Sequence, residues 1–470
     1  MTLARQLTTQ EQRIVADLHG RIRVHRDRNQ KRQRYFDGEE VLRVAFSVPR
    51  QFDAYAVPVG WPKKAVDVIA SRCVGDDFSV RTDSTLVDDL RAARSDSGSV
   101  EHERQAIHAA VRYGVSFLFS VLGDPTAGEP AVVQFVRSPL VASATVNPRT
   151  GATVAALELL DSGAVLYLPG RVLTLSGSSL GMAWQVVDEQ PATRRVTVTP
   201  FVNCGTPDKP MGQSRITRVL MGLTDMGVRT LHRSEVSAEF YAAPRQALIS
   251  AAEEMFTGSD GRRRTGWEMI LGGTWGIPDG VDDHGERVVP NLKIIPQMTM
   301  QPFLDQFRLI AAAVSGETAI PMSYLGVLQD SNPTSAEAIA ASEMDLVRAA
   351  RETMAGMTGA RKAAAMDVLT VLHGDLGVSA WSEMRGVTPR WVDPRNRSVT
   401  EQSQFVQLQV SAGNLQPGVE STLRLLPMSE DEVAASLADN RRAAGQGVLD
   451  RILAAQTAAE PAVVEPAAGD

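Results

Sequence analysis

Residues 332–359 read NPTSAEAIAASEMDLVRAARETMAGMTG, and they predict a long helix with a marked beginning. Thr334 is placed to cap the first turn, Glu337 completes a capping box three residues later, and Pro333 keeps the helix from extending backward. Residues that recur at helical spacing form one face of this helix, and few of them have large side chains. Its members are Ala336, Ile339, Ala340, Glu343, Leu346, Val347, Ala350 and Met354. We expect this small-sided face to pack closely against a neighbour.

The residues before this helix predict a long loop. The segment SGETAIPMSYLGVLQDSNP, residues 315–333, carries Gly316, Pro321, Gly326 and Pro333 at a spacing that fits no regular element. A loop of about 18 residues inside a compact domain is usually functional or disordered. The rest of the chain must therefore explain why a long helix follows a loop that has few anchoring residues of its own.

Length and composition indicate an ordinary globular chain. The 470 residues suggest roughly three units of ~150 residues. The 43% hydrophobic and 22% charged residues are typical of a folded protein. No run approaches the ~18 apolar residues of a membrane helix, and residues 1–20 lack the apolar core of a secretory signal. We expect no contact with membranes and no export from the compartment of synthesis.

Charge and cysteine content exclude several site types. Lys and Arg number 48 against 55 Asp and Glu, and the net charge of −7 argues against a surface that grips nucleic acid tightly. Two cysteines, Cys73 and Cys204, are too few for a disulfide framework or a thiolate metal site. We interpret them as small buried or half-buried side chains, and we expect no metal and no cofactor.

Residues 5–34 predict a polar helix with a basic second half. The basic side chains are Arg21, Arg23, Arg26, Arg28, Lys31, Arg32 and Arg34. Such a run indicates either a solvated basic face or contact with a polyanion or an acidic neighbour, and the sequence leaves both open. A second helix is expected to start at Trp61 and Pro62.

Residues 100–210 predict an antiparallel sheet that follows a helix. The helical period of VEHERQAIHAAVRY gives way at Gly114 to the strand-like run VSFLFSVLG. Alternating segments follow up to residue 203, separated by turn residues, and Asn147–Gly151 is expected to form a hairpin loop. The fold class predicted here is α+β.

The sequence pattern changes after Pro210 from alternating, strand-like segments to a helical period. Residues 213–241 form one uninterrupted helical pattern, roughly 43 Å long at 1.5 Å per residue. A Gly-rich insert with short strands covers 244–298, and a second helix runs from about 300 to 315. Beyond Gly374 the chain returns to the sheet, residues 399–412 predict another helix, and short helices end near 456. The tail is rich in Ala, Pro and Glu and is expected to be disordered.

Motifs that carry chemistry are absent or out of context. Residues 177–181 read GSSLG, the pattern of a hydrolase elbow with Ser179 as nucleophile, yet both flanks resemble strands, which favours a hairpin loop. His102 and His108 are six residues apart and so fall on different helix faces. No phosphate loop or dinucleotide fingerprint occurs. We therefore expect a protein that is not an enzyme.

Five patches resemble, in order and spacing, the portal proteins of tailed bacteriophages, specifically the large portal family of long-tailed phages of Gram-positive hosts. They are RYFDGEE followed by WPKKAVDVIASRC; HAAVRYGVSFLFSVLGDP; TPFVN followed by GQSRITRVLMGLTDMGVRTLHRSEVSAEFYAAPR; IPMSYLGVLQDSNPTSAEAIAASEMDLVRAAR; and RWVDPRNRS. The resemblance covers about residues 30–415, and beyond Gly413 the assignment rests on the helical pattern.

The resemblance implies a portal-type α+β fold assembled as a ring. Its parts would be an N-terminal α+β wing (1–210), a stem helix (211–243), a small β-containing clip (244–298), a second stem helix (299–316), a tunnel loop (317–333), a long wing helix (334–374), a wing return strand (375–398), helical crown (399–456) and a disordered tail (457–470). Packing of the loop between ring neighbours would explain how it can lack an anchor of its own.

The implied function is that of a dodecameric ring at one capsid vertex, through which DNA is packaged and ejected. The implied partners are further copies of the chain, the major capsid protein, the terminase large subunit, the head-tail adaptor, double-stranded DNA and, as a further candidate, a scaffolding protein. The implied location is the virion, after assembly in the host cytoplasm.

The resemblance also implies two candidate sites. The residues expected to line the DNA channel at the tunnel loop are Glu317, Thr318, Met322, Ser323, Tyr324, Gln329, Asp330, Ser331 and Asn332. The residues expected to dock partners at the clip are Arg262, Arg263, Arg264, Trp267 and Trp275. The alternative interpretation of the three arginines is that they lie in an exposed turn. Two rival interpretations remain open, a ring or scaffold protein that conducts no DNA and, more remotely, a serine hydrolase that uses Ser179.

Overall fold

The computed structural model describes residues 5–40, 50–79, 85–177, 184–241, 246–249, 280–281, 284, 287–288, 291–294, 299–327, 336–395, 399–426, 428, 432–443 and 445–446. The chain divides into two compact units, residues 1–394 and 395–470. The first contains every described strand, and the described residues of the second form helices joined by turns.

The described helices combine long and short elements. They are α1 (Thr9–Asp37), α2 (Trp61–Ala70), α3 (Thr85–Asp96), α4 (Ser99–Tyr113), α5 (Arg218–Tyr241), α6 (Gln301–Thr318), α7 (Ala336–Ser342), α8 (Met344–His373), α9 (Val378–Arg385), α10 (Val399–Ser411), α11 (Glu420–Leu423) and α12 (432–443). Short 3₁₀ turns occupy Arg50–Tyr55, Pro125–Ala127 and Met322–Leu325. No helix in the described ranges is both long and apolar enough to cross a membrane.

The described strands are β1 (Arg5–Gln6), β2 (Gly75–Ser79), β3 (Val115–Leu122), β4 (Val132–Arg137), β5 (Ala142–Val146), β6 (Thr153–Leu160), β7 (Gly163–Leu168), β8 (Arg171–Ser176), β9 (Gln185–Pro191), β10 (Val198–Val202), β11 (Gln246–Ile249), β12 (Gly280–Val281), β13 (Arg287–Val288), β14 (Asn291–Ile294) and β15 (Thr388–Trp391). Six form an antiparallel sheet in the order β1-β9-β8-β7-β6-β5, three form a second sheet β10-β3-β4, and the others pair as β11-β14, β12-β13 and β15-β2. The predicted α+β class is confirmed.

Local signals explain where several elements begin. The switch from α4 to β3 occurs at Gly114, whose φ of 106° favours glycine. The Asn147–Gly151 loop joins β5 to β6 as predicted; Gly151 has a φ of 71°, and Asn147 Oδ1 accepts a hydrogen bond from the Arg149 amide. The predicted helix start at Trp61 is likewise confirmed.

Two predicted helices begin later than expected, because in each case a threonine caps the helix at a later residue. Residues 5 and 6 form strand β1, because Thr8 and Glu11 make a capping box that starts α1 at Thr9. The helix predicted from 213 begins at Arg218, because the Thr217 hydroxyl accepts the Leu220 amide at 3.1 Å. Its 24 residues span about 36 Å rather than the longer strut expected.

The return segment after Gly374 also differs from its prediction. Val378–Arg385 is a helix, and β15 pairs with β2 rather than with the six-stranded sheet. This pairing joins Thr388 to Ser79 across 309 residues of chain, a distance over which local sequence patterns carry no information.

A buried guanidinium ties these distant elements together. Arg361 of α8 is fully buried; its Nε donates to Glu103 Oε2 at 3.0 Å and its Nη2 to the Asp76 carbonyl at 2.6 Å. It also donates to the Arg390 carbonyl, and Arg94 of α3 pairs with the other Glu103 oxygen. Arg361 thereby connects α4 and α8 with the β2-β15 pair, and Glu103 extends the connection to α3.

We predict that Arg361→Met destabilises the fold by about 3–5 kcal/mol, because it removes one partner of a buried ion pair and leaves carbonyls unpaired. Arg348→Met on the same helix is the matched control, since the Arg348–Glu352 pair is exposed on both sides. It should change the free energy of unfolding by less than about 0.5 kcal/mol in urea titrations. Equal effects of the two substitutions would contradict the role given to Arg361.

Candidate functional site

The candidate site is built on the antiparallel pair of helices α5 and α6. At one end the Thr217 hydroxyl donates to Glu317 Oε1 at 2.8 Å, and at the other the Ser234 hydroxyl lies 3.9 Å from Met300 Sδ. Arg215 Nη2 also donates to the Thr318 carbonyl at 2.7 Å. The start of α5 therefore lies beside the end of α6, and the two helices run in opposite directions.

Trp61 fills the space between these helices. Its ring stacks on Phe307 of α6 with a centroid distance of 5.1 Å and an interplanar angle of 30°. On the other side it meets Gly227 of α5, where a Cβ atom would lie 2.7 Å from Trp61 Cζ3. Its Nε1 donates to the Leu325 carbonyl at 3.3 Å. A single indole thus contacts both long helices and the turn that follows α6.

A buried polar cluster joins that turn to the next helices. We call Arg72, Tyr324 and Glu343 the loop-base cluster. The Tyr324 hydroxyl donates to Glu343 Oε1 at 2.6 Å, and Arg72 Nη2 lies 3.2 Å from Glu343 Oε2 and 3.1 Å from the Tyr324 hydroxyl. Arg72 Nη1 also donates to the Pro394 carbonyl.

The loop-base cluster fixes both sides of the segment between residues 327 and 336. Tyr324 precedes that segment, and Glu343 follows it at the break between α7 and α8. Burial and the hydrogen bond to Glu343 raise the pKa of Tyr324, so its hydroxyl stays protonated and available as a donor at neutral pH. Arg72, two residues beyond the end of α2, thus contacts the chain on both sides of this segment.

The structure revises part of the predicted tunnel loop. Glu317 and Thr318 belong to the last turn of α6, and Gly316 lies inside that helix rather than at a hinge. Thr318 is buried, with its hydroxyl bonded to the Val314 carbonyl at 2.7 Å. These two residues were expected in a loop because Gly316 reads as a helix end, whereas the helix continues to the left-handed residue Ala319.

The other predicted site residues fall into two groups. Met322, Ser323 and Tyr324 form the 3₁₀ turn, in which Ser323 is exposed while Met322 packs against the core. Outside the described residues lie Gln329, Asp330, Ser331, Asn332, Arg262, Arg263, Arg264, Trp267, Trp275 and Ser179. The strands flanking Ser179, β8 and β9, pair with each other as predicted for a hairpin. In the part of the chain that the structure describes, no group of three or more His, Cys, Asp or Glu side chains is placed to hold a metal ion.

The predicted inner stripe of the helix from 334 is confirmed only from Glu343 onward. Leu346, Ala350 and Met354 are buried, whereas Ile339 and Ala340 are exposed in the single chain. The helix is also interrupted at Glu343 rather than continuous. The capping residue Thr334 lies outside the described residues, so its cap stays a prediction.

Sequence reasoning missed the residues that organise this site. Trp61 was recognised only as a helix start, and Arg72 carried no signal of its own. Glu343 did carry one, because a carboxylate inside an otherwise apolar stripe needs a buried partner. The partner could not be identified, since Arg72 is 271 residues away in the sequence.

The amino-acid sequence is similar to those of two bacteriophage portal proteins. The chain is 24% identical over 318 residues to the portal protein of Mycobacterium phage D29, covering 65% of this chain and 63% of that protein. It is 24% identical over 328 residues to the portal protein of Mycobacterium phage L5, covering 67% and 65%. The resemblance to bacteriophage portal proteins is confirmed. The chain matches slightly less than two thirds of the length of these portal proteins. No protein-family model matches it.

Solved structures with some similarity come from GTA particles. A chain in the neck of a native GTA particle, computed with C12 symmetry, gives a TM-score of 0.41 at 15% identity. A chain in the neck of an empty GTA particle, computed with C6 symmetry, gives 0.40 at 13% identity. Each match covers 85% of this chain and 94% of the other. These scores are too low to establish a shared fold, and nothing further rests on them.

We predict that Gly227→Ala destabilises the protein, because the new methyl group would meet the Trp61 ring, and overpacking costs about 1–3 kcal/mol. Gly222→Ala on the same helix is the matched control, since nothing lies within 4 Å of a Cβ atom there. It should stabilise the helix by up to about 1 kcal/mol. Thermal unfolding of both variants measures the difference, and a Gly227→Ala variant as stable as Gly222→Ala would rule out the close Trp61 contact.

Proposed function

We propose that this chain is the subunit of a phage portal, a dodecameric ring at one capsid vertex that serves as the channel for DNA packaging and ejection. The observation that carries the proposal is the antiparallel α5-α6 pair. Trp61 contacts this pair and the turn at Met322–Leu325, and the loop-base cluster holds Tyr324 of that turn. The similarity to two mycobacteriophage portal proteins supports it. The protein would work as a structural conduit rather than as an enzyme.

Exposed apolar side chains on the two long helices support assembly into a ring. Leu304 and Leu309 on α6 are 51% and 71% exposed, and Val219 on α5 is 55% exposed. Ile339 on α7 adds a further apolar side chain, beside the exposed Ala340. A contiguous apolar surface, rather than a single exposed side chain, marks an interaction site. We propose that these side chains belong to such a surface and that a second copy of the chain covers it, so that the small-sided face predicted from the sequence becomes an intersubunit contact.

The loop beyond the 3₁₀ turn is proposed to line the narrowest part of the channel. Its side chains from Gln329 to Asn332 are uncharged apart from Asp330. Uncharged groups touch phosphates without the salt-dependent affinity that lysines would add, and the net charge of −7 per chain points the same way. Such a surface lets DNA slide.

The clip is proposed to dock the terminase large subunit during packaging and the head-tail adaptor afterward. Arginine and aromatic side chains are the types that most often anchor interfaces, which favours Arg262, Arg263, Arg264, Trp267 and Trp275. The wing would contact the major capsid protein, with a scaffolding protein as a further partner during assembly. Assembly would take place in the host cytoplasm, and the finished ring would remain in the virion.

Assembly is tested by Leu309→Asp. A carboxylate buried between subunits without a partner is strongly unfavourable, so this variant should remain monomeric where the wild type forms rings. Val378→Asp is the control, because Val378 is 88% exposed on a helix outside the proposed contact. Mass photometry at matched concentrations gives the distribution of oligomers. A monomeric wild type, or rings formed by Leu309→Asp as readily as by Val378→Asp, would contradict the proposed interface.

DNA passage is tested by replacing Gln329 and Asn332 together with Lys. The two added charges per subunit should leave rings intact but slow DNA packaging, with more slowing at low salt than at high salt. The control carries the same added charge at Gln10 and Gln105, which are exposed on α1 and α4. A packaging assay with purified motor measures the rate. Normal packaging by the loop variant at low salt would show that the loop does not line the channel.

A further inference from the structure

A cleft of about 350 Å³ lies between α1 and the turn at residues 208–212. Its lining includes the apolar residues Ile22 and Phe117, which are buried, and Met211, which is half-exposed. Arg21, His25 and Arg28 line one wall, and Lys209 lines the other. A cavity of this size holds a few side chains rather than a whole helix.

The basic wall belongs to a single helical face. Arg21, His25 and Arg28, which line the cleft, and Arg32, which is not among the lining residues, follow one another at intervals of four, three and four residues, which places them in one row along α1. Within this row Arg28 and Arg32 are two guanidinium groups four residues apart, a spacing at which like charges repel each other by a few tenths of a kcal/mol. An anionic ligand at Arg28 would relieve this repulsion.

The positive charge of the row is only partly neutralised within the chain. Arg21 pairs with Asp17 at 2.7 Å, and Lys209 Nζ donates to the Gln213 side chain. Arg32 is half-buried and donates to the Asn29 side chain and the Tyr113 carbonyl, and burial together with Arg28 lowers its pKa to about 10. Arg28 has no ion pair among the described residues.

Two further titratable groups complete the surroundings of the cleft. Partial desolvation, Arg28 and Arg32 lower the pKa of His25, as expected in a positive potential. Asp208 is the acidic side chain among the lining residues and stands beside Lys209. The charged side chains that line the cleft are mostly positive, which favours a negatively charged ligand.

We propose that this cleft docks an acidic segment of a partner protein that also carries an apolar side chain. The carboxylates would pair with Arg28 and Lys209, and the apolar side chain would cover Met211, which is half-exposed. A DNA duplex could place phosphates on the basic side chains but has no apolar side chain to place against Met211. The inference does not depend on ring formation or DNA passage.

The test uses the full-length protein and a fluorescein-labelled peptide of alternating glutamate and leucine, with binding followed by fluorescence anisotropy. Arg28→Glu should weaken binding about tenfold or more, the effect expected for loss of a charge-assisted contact. Arg23→Glu is the matched control, because Arg23 is an exposed arginine on the same helix that does not line the cleft. It should change the affinity less than about twofold.

Further probes separate the rival explanations. A peptide with serine in place of leucine should bind more weakly, and one with lysine in place of glutamate should not bind. The proposal is overturned if the glutamate-leucine peptide does not bind, if the serine peptide binds equally well, or if Arg23→Glu and Arg28→Glu weaken binding equally. A DNA duplex that binds more tightly than the peptide and loses affinity in Arg28→Glu would also overturn it, in favour of a nucleic-acid site.

Folding of the variants is controlled by thermal unfolding. Arg28→Glu should be at least as stable as the wild type, because it places a carboxylate four residues before Arg32. Lys209→Glu, on the opposite wall and outside any helix, gives an independent measurement if Arg28→Glu does not fold. The proposal requires Lys209→Glu to weaken peptide binding as well, and unchanged affinity in that variant would contradict it.

Discussion

The close contact between Trp61 and Gly227 is the constraint on which the described site depends. A bulkier residue at Gly227 would push the indole away, and the indole would then lose its stacking on Phe307 and its hydrogen bond to Leu325. An aromatic pair of this kind contributes about 0.5–1.5 kcal/mol beyond its buried area. Its greater importance is geometric, because one rigid ring sets the separation of α5 from α6 and the position of the turn after α6.

Buried charges add a directional restraint that apolar packing does not provide. Arg72 and Glu343 are almost fully enclosed, as are Arg361 and Glu103. Separating one such pair costs several kcal/mol, whereas an exposed pair contributes less than about 1 kcal/mol. Hydrogen bonds to a guanidinium also fix orientation, so one cluster holds the chain just after α2 against the break between α7 and α8, and the other holds α8 against α4.

Sequence patterns predicted the elements whose signals are local. The helix start at Trp61 and Pro62, the change of period at Gly114 and the hairpin at Asn147–Gly151 each depend on a few adjacent residues. The two helices α5 and α6 were also predicted, with boundaries displaced because Thr217 caps one helix and Gly316 does not end the other.

Features that depend on distant residues were not predicted. The pairing of β15 with β2 and the contact of Arg72 with Glu343 join parts of the chain that no periodicity connects. The exposure of Ile339 was missed for a related reason. An apolar position on a helix face predicts burial against something, and the sequence does not say whether the partner is the same chain or another copy.

In the proposed ring, the Trp61 contact and the loop-base cluster would present the turn at Met322–Leu325 toward the axis. A cryo-electron microscopy reconstruction of the assembled wild-type protein tests this orientation most directly. We expect a closed ring with a central channel, α5-α6 pairs of neighbouring subunits in contact through Leu304 and Leu309, and the Met322–Leu325 turns nearest the axis. A ring in which these turns face outward, or in which the two leucines remain exposed to solvent, would contradict it.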